Sequence, residues 1–133
     1  MQLLAAYAAC LIVFALIDAA WLSTMASVLY RPALGDILLP SLRLGPAAAF
    51  YATFPAGILM FAVMPALKSG TTGTAVVYAL LFGAIAYGTY DLTNYATLRN
   101  WNLQITVIDI LYGAVASAIA AAAATLAARA VAP

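Results

Sequence analysis

Four long apolar stretches, at about 2–28, 46–67, 74–96 and 102–128, are separated by short segments where the polar and turn-forming residues gather. A helix needs roughly 20 predominantly apolar residues to cross the hydrocarbon of a bilayer, and each stretch supplies them. The breaks carry turn chemistry: Arg31-Pro32, Gly35-Asp36 and Gly45-Pro46 after the first stretch, Lys68-Ser69-Gly70 with Gly73 after the second, and Arg99-Asn100-Trp101-Asn102 after the third. Short connections make neighbouring helices antiparallel. The pattern therefore predicts an all-α membrane protein, four transmembrane helices in an antiparallel bundle over residues 1–133. The first stretch begins Met-Gln-Leu-Leu, without a basic region, and continues past the usual length of a signal peptide's apolar core, so it reads as a span.

The longest connection, Tyr30 to Leu44, contains Leu34, Ile37, Leu38, Leu39 and Leu42, too many apolar residues for a free loop. It is expected to lie along the membrane interface, with Pro32 opening a short surface helix and Arg31 and Arg43 anchoring its edges in the headgroups. The alternative is a lid over a site. Pro55, in the middle of the second span, should kink it. The fourth span ends in an alanine-rich run with Gly113 and Ser117, a small-residue face suited to close helix packing or to a homodimer.

Composition supports the bilayer reading: 68% of the residues are hydrophobic and 7% charged, whereas a soluble domain has about a quarter charged. Five Lys plus Arg against four Asp leave no basic face for a nucleic acid. With no His and only Cys10, neither a zinc nor a haem site can be assembled, so no metal and no cofactor is expected.

The acidic residues change the picture most. A carboxylate inside the hydrocarbon costs about 2.5–3.5 kcal/mol on insertion scales, so an intramembrane Asp marks a functional site by default. Counted inward from the face where spans one and three end, at about 1.5 Å per residue, Asp18 lies roughly 15 Å deep, Asp91 roughly 8–12 Å and Asp109 roughly 10 Å. Helical spacing adds Trp21 to Asp18; Tyr87, Asn94 and Tyr95 to Asp91; and Thr106 and Tyr112 to Asp109. Tyr51 and Phe54 of the second span sit at matching depth, and Arg31, Arg43 and Arg99 form a rim. The other half of the bundle is nearly plain hydrocarbon apart from Gln2, Tyr7, Lys68 and Arg129. The acids have two readings, a lock built from hydrogen bonds to Asn94, Thr93, Tyr90 or Tyr112 or pairing with an Arg, or a site for a cation or proton; the convergence of three favours the second. Three rim arginines against Lys68 and Arg129 lean towards a cytoplasmic polar face.

Two runs carry a family resemblance. Tyr90-Asp91-Leu92-Thr93-Asn94-Tyr95-Ala96-Thr97-Leu98-Arg99-Asn100-Trp101 and Thr106-Val107-Ile108-Asp109-Ile110-Leu111-Tyr112-Gly113, with Ile17-Asp18-Ala19-Ala20-Trp21-Leu22, Leu29-Tyr30-Arg31 and Leu34-Gly35 at the start, resemble a bacterial family of small four-span inner-membrane proteins catalogued as a domain of unknown function. Tyr112 departs from that family's usual Trp. The resemblance implies a multi-pass protein of the bacterial inner membrane and a link to lipid or fatty-acyl modification, without an activity to transfer.

Taken together, the residues predict a protein that binds or transports a small polar solute, an ion or proton, or a lipid headgroup at Asp18, Asp91, Asn94 and Asp109, with membrane lipid as its surrounding partner. The rival readings are an enzyme or accessory subunit acting on acyl lipids, with an Asp as general acid or base, and a structural subunit of a larger membrane complex. Without His, no Ser-His or Cys-His nucleophile can be built, which disfavours an enzyme.

Overall fold

Capping chemistry in the breaks sets the helix ends. The Thr71 hydroxyl accepts the Thr74 N–H at 3.2 Å and the Asn102 side chain accepts the Ile105 N–H at 2.8 Å, each replacing a partner that the first turn of a helix lacks. Gly70 ends the helix before Thr71 at φ 81°, a left-handed conformation that costs Gly little. In the computed structural model, which describes residues 1–133, these signals delimit four helical segments: α1 (Gln2–Ile37), α2 (Leu44–Ser69), α3 (Thr72–Thr97) and α4 (Leu103–Ala130). Each is long and apolar enough to cross a membrane, and the chain is an all-α, multi-pass membrane protein.

Two of the helices contain a wide π turn, Ala26–Tyr30 in α1 and Leu59–Val63 in α2. Each lies just ahead of a proline. Pro32 and Pro65 have no N–H to give the carbonyls four residues back, and their rings crowd those carbonyls; the ladder loosens there, and the N–H groups of Arg31 and Met64 reach five residues back to Ala26 and Leu59. Pro32 thus does not open a separate surface helix as expected; it sits in the continuing course of α1. Pro55 lies within the α-helical stretch Leu44–Ile58, and the irregular turn of α2 comes later, ahead of Pro65.

At about 1.5 Å per residue the 36 residues of α1 exceed the roughly 30 Å of hydrocarbon. Its end folds onto the bundle: Leu29 and Leu34 are buried against Trp101 and Ile105, and Asn100 donates to the Ala33 carbonyl at 3.4 Å. Only the following residues, Ile37, Leu38, Leu39 and Leu42, present the exposed apolar surface expected of an interfacial segment.

α4 is the centre of the bundle. It packs most extensively against α3 and α1, and its Ala116, Ala120, Ala121, Ala124 and Ala128 form a core with Ala6, Cys10 and Phe14 of α1, Ile58 and Val63 of α2, and Ala75 and Ala79 of α3. Its small residues therefore pack within the chain. In lipid, close van der Waals approach drives helix association, and small side chains permit it. Polar tethers hold the opposite end: Arg129 donates to the Thr72 hydroxyl at 2.7 Å and Gln2 to the Ala128 carbonyl at 3.2 Å.

Candidate functional site

Helix phase carries three acidic side chains into the interior. Asp18 continues the every-fourth-residue row Ala6, Cys10 and Phe14, Asp91 follows Gly88 on the inner face of α3, and Asp109 lies one turn from Ile105 and Gly113 on α4. Their exposures are 7%, 0% and 6%. Above them, towards the α3–α4 connection, Leu29, Leu34, Trp101 and Ile105 close the end of the bundle.

Phenols clasp two of the three carboxyls. Tyr112 donates to Asp18 Oδ1 at 2.7 Å and Tyr51 donates to Asp18 Oδ2. Tyr30 donates to Asp109 Oδ1, and its oxygen accepts the Trp21 indole N–H at 3.0 Å. The Trp21 ring stacks on Tyr112, with centroids 4.2 Å apart and planes inclined at 14°. Asp109, Tyr30, Trp21, Tyr112, Asp18 and Tyr51 thus form one chain of hydrogen bonds and stacking that joins α1, α2 and α4. Replacing one phenol tests it: Tyr30→Phe leaves Asp109 short of its donor and is expected to cost about 1–3 kcal/mol, whereas Tyr112→Phe leaves Asp18 with Tyr51 and should cost less. Denaturant titration in mixed micelles reads both, and equal losses would show that the two carboxyls are not held as described.

Asp91 differs from both. It lies within hydrogen-bonding reach of the Asp109 carboxyl across the α3–α4 contact, and neither of its oxygens accepts from an N–H or O–H donor outside that pair. The Trp101 indole N–H is likewise buried without an acceptor, its ring in edge contact with Tyr90 at 5.4 Å. A buried polar group without a partner forfeits its hydration, and native proteins seldom leave one without a functional reason or a bound water or ion. The three carboxyls do not form one cluster capable of holding a metal ion; they divide into the Asp91–Asp109 pair and the tyrosine-bound Asp18.

Tyr87 stands between the two parts. It lies within electrostatic reach of Asp18 and Asp109, donates to neither, and makes edge contacts with Tyr112 and Phe54 at 6.0 and 5.8 Å. The base of its ring crosses α4 at Gly113, where there is no room for a Cβ.

Other expected site residues lie outside this network. Asn94 is half-buried and Tyr95 exposed, and neither hydrogen-bonds a carboxyl. Thr106 is buried, but its hydroxyl donates to the Asn102 carbonyl of its own helix at 2.8 Å, and Thr93 does the same towards Thr89. Arg31, Arg43 and Arg99 are exposed, and the donors to Asp18 and Asp109 are phenols rather than guanidinium groups.

The whole of this network falls within residues 3–126, the stretch matched by the profile of a family described as "Predicted membrane protein (DUF2177)". The chain belongs to the DUF2177 family. No match was found among curated proteins or among solved structures. The DUF2177 match spans all four helices, from the first residues of α1 to the last turns of α4.

Two residues of the DUF2177 chain's network, Tyr30 and Tyr51, were not among the expected site residues. Tyr51 was legible as an aromatic at the right depth. Tyr30 was not, because nine residues at about 100° each place it on the opposite side of a straight α-helix from Trp21; the π turn at Ala26–Tyr30 changes that phase and brings the phenol back.

Proposed function

We propose that the Asp91–Asp109 pair of this membrane protein binds a proton or a small cation, with the two carboxyls as its ligands. The observation that carries this reading is Asp91: fully buried, within reach of a second carboxyl, and without an N–H or O–H donor to either oxygen. A bound cation or shared proton supplies what that carboxyl lacks, and the intramembrane setting makes such an occupant worth several kcal/mol to the pair. Trp101, Leu29, Leu34 and Ile105 separate the pair from the membrane surface, so occupancy depends on movement of this end of α1 or on access from the side.

The test is covalent. An apolar carbodiimide adds to a protonated carboxyl, so labelling of Asp91 in the purified full chain, located by mass spectrometry, should slow as pH rises or as Na+, K+ or methylammonium is added. Labelling that is indifferent to pH and to all three cations would overturn the reading. Asp109→Asn should lower the cation protection at least tenfold.

A structural role is favoured for Asp18 by its two phenolic donors. For this residue, Asp18→Asn is expected to reduce stability more than it changes the labelling of Asp91.

A further inference from the structure

The end of α1, residues 26–37, is joined to the bundle by loose connections on both sides. On one side the π turn Ala26–Tyr30 interrupts the regular helical ladder, and on the other the chain leaves helical structure over residues 38–43. Between them the segment has two faces: Arg31 and Asp36 are exposed, whereas Leu29 and Leu34 are buried against Trp101 and Ile105. Its polar holds on α4 and the α3–α4 connection are the Tyr30 phenol on Asp109 and a long bond, 3.4 Å, from the Asn100 amide to the Ala33 carbonyl. A deficit lies beneath it. The buried side-chain polar groups of the chain that lack a hydrogen-bond partner are Asp91 and the Trp101 indole N–H. Trp101 packs under Leu29 and Leu34, and Asp91 stands beside the carboxyl on which Tyr30 rests.

We infer that residues 26–37 form a lid over the Asp91–Asp109 pair, hinged at the π turn and latched by the Tyr30 phenol on Asp109, whose closure is stabilised by an occupant of the pair. This rests on the proton- or cation-binding reading of the two carboxyls and adds how that site is reached and sealed. The coupling is a difference in stability between two arrangements. Closed over an empty pair, the lid keeps Asp91 from water and from any donor; opened, it lets water hydrate both Asp91 and the Trp101 N–H. An occupant supplies Asp91 without that movement and so shifts the population towards the closed lid. The latch has a fixed direction, because the Trp21 indole N–H donates to the Tyr30 oxygen at 3.0 Å and leaves the phenolic proton for Asp109. The ionisable groups facing the pair are Tyr30 of α1 and Tyr90 of α3. Beyond them stand Tyr87 of α3 and Asp18 of α1, the latter held by Tyr51 of α2 and Tyr112 of α4, while the rim arginines are exposed.

The experiment uses the full chain in phosphatidylcholine nanodiscs, starting at a pH high enough that carbodiimide no longer labels Asp91. A thiol on the underside of the lid, Leu34→Cys, is followed by its rate of modification with a water-soluble maleimide; Leu29→Cys serves if that variant does not fold. Gly35→Cys, on the exposed side of the same segment, gives the rate of a free thiol under each condition, and the native Cys10, fully buried in the core, reveals any general unfolding. Relative to Gly35→Cys, modification at residue 34 should slow at least tenfold when the pair is refilled, by whichever of lowered pH, Na+, K+ or methylammonium alters the labelling of Asp91. Asp91→Asn, a neutral side chain with its own donor, should slow it equally and remove the dependence on pH and cations. Tyr30→Phe should speed it at least tenfold in the refilled state; Leu29→Ala replaces it if the phenol is needed for folding. The two failures are distinct. A constant rate at residue 34, beside Asp91 labelling that still responds to pH or cations, overturns the lid alone, whereas labelling indifferent to both overturns the carboxyl site and the lid's coupling with it.

Discussion

Gly113→Ala is expected to destabilise the folded bundle by about 2–3 kcal/mol, near the upper end of what overpacking a well-filled core costs, even though alanine favours a helix by about 1 kcal/mol over glycine. The added methyl would occupy the position of the Tyr87 ring at its base, Cγ and the two Cδ atoms, rather than at the far end of a flexible chain. That ring has little freedom to move, being edge-on to Tyr112 on one side and to Phe54 on the other. Relief therefore requires α3 and α4 to separate, and they meet closely there: a Cβ at Gly83 would lie 2.5 Å from the Gly113 carbonyl oxygen and 2.6 Å from the Ser117 hydroxyl. Gly73→Ala is the control, because nothing lies within 4 Å of its added methyl. Unfolding by denaturing detergent in mixed micelles should separate the two variants; equal stability would mean that Tyr87 does not pack across Gly113.

The second large effect has the opposite sign. Asp91→Leu is expected to raise stability by about 1–3 kcal/mol, the penalty carried by a buried polar group without a donor. It should also abolish carbodiimide labelling and cation binding at the site. The reason is local: Asp91 has no exposed surface and no N–H or O–H donor, and its polar neighbour is a second carboxyl, Asp109, so without a bound proton or cation its removal relieves a buried group and ends a like-charge contact. Asp18→Leu provides the contrast. It strips an acceptor from both Tyr51 and Tyr112 and should be destabilising. If Asp91→Leu were instead as damaging as Asp18→Leu, Asp91 would have a structural partner and the proposed site would lose its main support.

The acidic residues were visible in the sequence because a charge in an apolar stretch stands out without any knowledge of packing. Their depth was also legible, since rise per residue is a property of the helix alone. Their partners were not. Asn94 and Tyr95 share the expected flank with Asp91, but side-chain direction and the closeness of α4 leave them outside the network, while Tyr51, from a different helix, reaches Asp18. Thr106 illustrates another limit: a hydroxyl on the correct face can satisfy itself on the carbonyl four residues back and take no part in the site.

Apolar length, turn residues and caps determine four helices in a membrane, because these depend on local chemistry and on the cost of exposing backbone polar groups to lipid. Tertiary structure decided how the helices are rotated and how far α1 continues. Prolines loosen the ladder ahead of Pro32 and Pro65, and the resulting wide turns change helix phase by amounts that no residue pattern records. That change brings Tyr30 to Asp109. The close approach of α3 and α4 through Gly83 and Gly113 brings Asp91 beside Asp109, a juxtaposition of residues on separate helices that exists only once the helices have packed.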